Sequence, residues 1–331
     1  MKLFKKIITL LFGLQLTGCA TPIDEPKPYI CESKFKSKYS EVKGYITNGM
    51  YEKALTLLTK LDEQAYPPAI YTLYELYSEG LGVKLDEKKA LIFLKRADAS
   101  KYPLAEYELN MKNLEEETSQ TKREAILAQL KELGKRLNKA ESGENNIFYK
   151  LNSKVFITLG KIYFEGKYVI QDLDEAFKYS KIVGTFPPTQ EANVGRELLG
   201  DAYLLFGRVL EAREDKKLNN DNLNSFVWYK NAIEMENLEG YYYNGLLYLK
   251  EKDIKNAVSS FGTGCYQGHA GSCYMAGKLY EEEKVYKNGD KDEQGNIRRN
   301  PMDYVLDYYK KGSKLGSQKC QERLESIKSK K

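Results

Sequence analysis

Apolar positions recur along this chain at helical spacing. Ala54, Leu55, Leu58 and Leu61 form an i, i+1, i+4, i+7 stripe. It predicts a helix over residues 51–62, paired with one over 35–48 across a break at Gly49. Pro67-Pro68 stops this pair and starts the next. Ala69, Leu73, Leu76 and Tyr77 share one face of a helix over 69–79, and Ala90, Phe93, Leu94 and Ala97 share one face of its successor. Between them, Gly80 and Gly82 suit the left-handed conformation that ends a helix, and Asp86 suits the N-cap of the next. Neither helix pair buries its apolar face alone, so pairs must stack.

The same turn occurs twice. Tyr77 is followed by Gly80, Val83, Asp86 and Ala90, and Tyr163 by Gly166, Val169, Asp172 and Ala176, at offsets of three, six, nine and thirteen. Five residue types in one register make the chain a repeat array. Asp172 and Glu175 have the spacing of a capping box. Weaker copies follow once the phase is known: Gly160, Gly200, Gly245 and Gly277 each stand three residues before a Tyr. A helix-interior Gly costs about 1 kcal/mol against Ala, so a shared phase implies close approach of a neighbouring helix. Second helices of the later pairs are predicted at 226–234, 255–264 and 302–311. A charge-rich hairpin is expected over 104–113 and 123–138, and expanded loops at 211–223 and 281–301. The expected fold is all-α, an α/α solenoid of stacked antiparallel helix pairs, in segments 35–66, 69–103, 104–145, 150–186, 189–238, 239–268 and 269–327.

The first residues change the picture. Lys2, Lys5 and Lys6 precede an apolar run from Ile7 to Leu16, too short to span a bilayer. The run ends in Leu16-Thr17-Gly18-Cys19, which resembles a bacterial lipobox. On that reading residues 1–18 are a signal peptide, Cys19 carries the acyl chains, and 19–34, with Pro22, Pro26 and Pro28, is a tether. The alternatives are an ordinary signal peptide with an incidental Cys, or a short membrane anchor. Ala20 after the Cys implies the outer membrane of a Gram-negative cell, facing the periplasm or the surface. With 52 basic against 47 acidic residues, three of the basic ones in the leader, there is no nucleic-acid footprint. One histidine, His269, leaves little scope for metal or His-based catalysis, and it reads as an exposed turn residue. No cofactor motif occurs.

The turn Gly-x-Gly-Val-x-x-Asp-x-x-x-Ala, with Leu159-Gly160-x-x-Tyr163 before its second copy, resembles the Sel-1-like repeat, a relative of the tetratricopeptide repeat. The resemblance implies a protein–protein scaffold with protein partners in the cell envelope, serving exopolysaccharide secretion, export or host contact. Cys265 and Cys273, seven residues intervening, are similar to the pair whose disulfide links two helices in cysteine-rich Sel-1-like proteins of Helicobacter type. Export to an oxidising compartment agrees with a bridge, and two buried thiols are the alternative. Cys31 and Cys320, near opposite ends of the array, are not expected to pair. Some members of that group are described as β-lactamases. Ser33, Ser40 and Ser119 begin Ser-x-x-Lys matches, but neither Ser-Asp-Asn nor Lys-Thr-Gly occurs, so no catalytic residue is expected. A glycan or peptidoglycan binder, with some of the 27 tyrosines lining a sugar groove, is the second functional reading.

Overall fold

The computed structural model describes residues 33–139, 146–184, 194–213, 224–285, 287–294 and 296–329. Among these residues the chain forms fifteen α-helices and no strand, with one isolated bridge between Lys291 and Ile297. The signal peptide, Cys19, most of the tether and Cys31 lie outside the described residues, as does most of the expected 211–223 loop. No described helix is long and apolar enough to cross a membrane. The chain divides into two compact units between Val155 and Phe156.

The first unit is a stack of antiparallel helices. It comprises α1 (Ser33–Thr47), α2 (Tyr51–Glu63), α3 (Pro67–Glu79), α4 (Glu87–Ala99), α5 (Pro103–Glu116), α6 (Gln120–Lys139) and the start of α7 (Asn146–Glu165). Prolines open α3 and α5, where a missing N–H costs nothing. Ala90, Phe93, Leu94 and Ala97 of α4 are buried against α3, with Val42, Leu58 and Leu61 in the same core. The charge-rich α6 holds its place by burying Leu127, Leu130, Leu133 and Leu137. Each such leucine contributes about 2 kcal/mol, enough to outweigh a polar remainder.

The second unit contains the rest of α7, then α8 (Leu173–Gly184), α9 (Arg196–Arg213), α10 (Ser225–Glu234), α11 (Glu239–Lys250), α12 (Ile254–Gln267), α13 (Ala270–Glu281), α14 (Pro301–Lys314) and α15 (Gln318–Ser329). The last of these was not expected as a separate helix. Its sequence is mostly charged, and it docks through few residues, Cys320 the most buried.

Glycines mark where helices close on one another. A Cβ on Gly245 would lie 2.6 Å from the ring of Phe261, and one on Gly277 2.6 Å from the ring of Tyr309. A Cβ on Gly160 would lie 2.9 Å from the Leu205 side chain and 3.4 Å from the Ser180 amide nitrogen of α8. The phase slips in α9. A Cβ on Gly200 would lie 3.0 Å from Asn237 and 3.3 Å from Met235, beyond the end of α10, and one on Gly207 would lie 2.8 Å from the ring of Tyr229. The two glycines are two helical turns apart on one face, so the sequence phase singled out Gly200 and passed over Gly207, which meets the neighbouring helix.

Candidate functional site

The repeat-turn residues close the helix pairs. Gly80 ends α3 at φ 70° and Gly166 follows α7 at φ 66°. Gly82 also has positive φ, and a Cβ there would collide with Tyr51. Asp86 accepts the Lys89 amide at 3.0 Å, and Asp172 accepts the amides of Asp174 and Glu175, each at 3.0 Å. Ala90 and Ala176 are buried beneath these caps. The capping box expected at Asp172 is only half made: its amide donates to the Tyr163 carbonyl, while the Glu175 carboxylate takes Lys178 at 2.8 Å. With its amide already engaged by α7, Asp172 has no donor left for Glu175.

Cys265, in the last turns of α12, and Cys273, in the first turn of α13, are disulfide-bonded with Cα atoms 4.5 Å apart. Both are fully buried. Cys320 is a buried free thiol, and a Cβ on Gly312 would overlap its sulfur while touching Cys273. Burial pushes the Cys320 thiol pKa up.

His269 is not an exposed turn residue. Its side chain is 17% exposed and caps α13, its Nδ1 accepting the Ser272 amide at 3.1 Å. Nδ1 also lies 2.8 Å from Ser272 Oγ, and Nε2 lies 3.3 Å from Glu239. That hydrogen bond holds the Glu239 carboxyl below its usual range. Serine, histidine and glutamate in this order resemble a hydrolytic triad. Ser272 is fully buried, however, so no substrate reaches its hydroxyl, and Nδ1 is occupied as a cap. Of the Ser-x-x-Lys serines, Ser40 and Ser119 are exposed, and Lys122 pairs with Glu117 at 3.5 Å.

A cluster that the sequence did not single out lies on the first unit, where α1, α3 and α5 contribute to one face. Tyr71 is 9% exposed, its ring 5.4 Å from Tyr74 and 5.5 Å from Tyr102. Tyr39 joins from α1, its hydroxyl 2.8 Å from Thr72 Oγ1. Around these rings stand the carboxylates of Glu75, Glu79 and Glu108. Glu75 is accessible yet desolvated by surrounding protein, which raises its pKa to about 7, with Glu79 and Glu108 adding to the rise and Lys43 opposing it. Burial likewise lifts Tyr74 to about 12, helped by Glu108 and Glu75. One signal for this face was present in the sequence: α3 has no basic residue and sets Glu75 and Glu79 at the i, i+4 spacing where like charges repel. No cluster of metal-binding side chains occurs among the described residues.

No protein-family model matches the chain, and no curated protein matches it by sequence. Among solved structures it is similar to a Sel1 repeat protein from Oxalobacter formigenes. The TM-score is 0.57 at 16% identity, over 83% of this chain and 96% of that one. It also aligns with c5321, a protective antigen present in uropathogenic Escherichia coli strains displaying an SLR fold. There the identity is 18%, over 87% of this chain and 72% of that one, at a TM-score of 0.37. The first likeness is one of fold: stacked antiparallel helix pairs of the Sel1 type.

Proposed function

We propose that this chain is a lipid-anchored protein–protein interaction scaffold of the bacterial cell envelope, tethered through Cys19 and presenting helical repeats to a protein partner. One observation carries this reading: helix pairs stacked as in a Sel1 repeat protein, a fold that offers extended surface rather than a reaction centre. The triad-like group at His269 supports it, since its serine is buried and its histidine caps a helix. The anchor rests on the Leu16-Thr17-Gly18-Cys19 sequence, and the outer membrane, facing the periplasm, on the Ala20 that follows. A secretion or exopolysaccharide-export complex, or a host protein, is the setting in which such a scaffold would work. Crosslinking in intact envelopes, followed by purification of the chain, should recover specific proteins. Cys19→Ser should abolish labelling by a palmitate analogue. Failure to recover any specific protein counts against the scaffold, and sedimentation with purified sacculi would favour a peptidoglycan binder instead.

A further inference from the structure

We propose that the face shared by α1, α3 and α5 binds a basic side chain, Lys or Arg, carried by an extended segment of the partner protein. This rests on the scaffold reading and adds the partner's chemistry and the site it occupies.

Charge is the first reason. Glu75 and Glu79 on α3 and Glu108 on α5 converge, and α3 supplies no basic residue of its own. The opposing cation is Lys43 of α1, and its ammonium stands over the Tyr39 ring at 5.0 Å. Glu79 and Glu108, joined by Glu75 as it ionises above neutrality, face the Lys43 ammonium, an acidic excess that a cationic visitor offsets.

Tyr71 is an independent reason. Its ring is nine-tenths buried between Tyr74 and Tyr102, and its hydroxyl has no hydrogen-bond partner among the described residues. Desolvation drives its pKa upward, and the carboxylates acting on it are Glu75 and Glu108. The ring is buried while the hydroxyl is not among the fully buried unpartnered atoms, so Tyr71 Oη stands at an opening where a ligand atom can replace water. An ammonium or guanidinium here would donate to the carboxylates and to Tyr71 Oη while lying against the tyrosine rings.

The groups facing Glu75 also set a pH dependence. They are Lys43 from α1, Glu79 from its own helix and Glu108 from α5, with Tyr39, Tyr71, Tyr74 and Tyr102 around them. Glu75 is neutral below its raised pKa of about 7 and charged above it, so a cation binds more tightly as pH rises through neutrality.

The test uses the full chain in mild detergent and two blocked heptapeptides, one alternating Ala with Lys and one alternating Ala with Glu, followed by fluorescence anisotropy. The Lys peptide should bind about tenfold more tightly than the Glu peptide, and moderate salt should weaken it. Glu75→Gln with Glu108→Gln should weaken the Lys peptide about fivefold and Tyr71→Phe about threefold, with unchanged circular dichroism. Glu293→Gln, in the loop before α14, should have no effect. Affinity should rise between about pH 5.5 and 8 in the parent chain and stay level in Glu75→Gln. Equal binding of both peptides, or full binding by the double variant, overturns the assignment. Envelope crosslinking of the double variant separates the two readings. Partners recovered as well as by the parent leave the scaffold standing and remove this face from it.

Discussion

The backbone amide of Asp86 donates to the carbonyl of Tyr77 at 3.0 Å, and Asp172 donates to Tyr163 at the same distance. The end of one helix thus accepts from the cap of the next, and the nine-residue offset is the length of one closed turn. Between α11 and α12 the same kind of bond, Asp253 to Tyr248 at 2.9 Å, closes with five residues because Lys252 takes the left-handed conformation. Cap and acceptor are set by one turn, so the cap is a sensitive place to perturb.

Replacing Asp86 by Ala leaves that backbone bond and removes only the side-chain cap on Lys89. The expected loss is about 1 kcal/mol, with Asn retaining most of it. Urea midpoints for the parent, Asp86→Ala and Asp86→Asn decide the matter: an unchanged midpoint for the Ala variant contradicts a capping role.

Two tyrosines of second helices reach glutamates of first helices. Tyr229 donates to Glu211 at 2.8 Å and Tyr309 to Glu281 at 2.7 Å, and among the described residues Glu281 also holds Arg323 whereas Glu211 has no such ion pair. Tyr229→Phe should therefore destabilise by about 1–2 kcal/mol and Tyr309→Phe by less, since Glu281 keeps a charged partner. The reverse order in thermal melts would refute this.

Converting Cys265 and Cys273 to Ser together should cost about 2.5 kcal/mol, the scale of a short cross-linked loop. Cys320, buried beside them, should resist alkylation in the native chain and react once it unfolds. Mass mapping without reductant reads both. Free thiols at 265 and 273, or rapid native labelling at 320, would count against this arrangement.

Glu75 binds its proton more tightly folded, with a pKa near 7, than the ordinary value of 4.5. Between those values the folded state holds the extra proton, so stability falls as pH rises from about 4.5 to 7. Glu75→Gln removes that contribution. Stability curves of parent and variant should converge at the acid end and separate toward neutrality, with the variant the more stable there; parallel curves would show the carboxyl titrating normally.

Much of the architecture was readable because glycine and aspartate announce their conformations. Gly80, Gly166, Asp86 and Asp172 carry roles that few residue types can fill. Other helix ends are silent. Ala65, Lys101, Glu236, Lys252 and Glu283 adopt positive φ after their helices, a strain of about 1–2 kcal/mol borne by residues with no sequence signal for it. A further shared offset went unseen, since its two members differ: Tyr77 stacks on Phe93 at 5.6 Å and Tyr163 on Tyr179 at 6.0 Å, both sixteen residues on. The acidic face was hidden for another reason. Its members come from three helices, and only folding brings Tyr39, Tyr71 and Glu108 to one place.

The disulfide joins α12 to α13, the second helix of one pair and the first of the next. In a stack where each repeat contacts only its neighbours, a pulling force acts on one helix boundary after another. A covalent staple across the seam removes that one boundary from the sequence of ruptures. Tension passing through the chain would have to break α11 from α12 or α13 from α14 first, and the stapled pair would come free as one mechanical block.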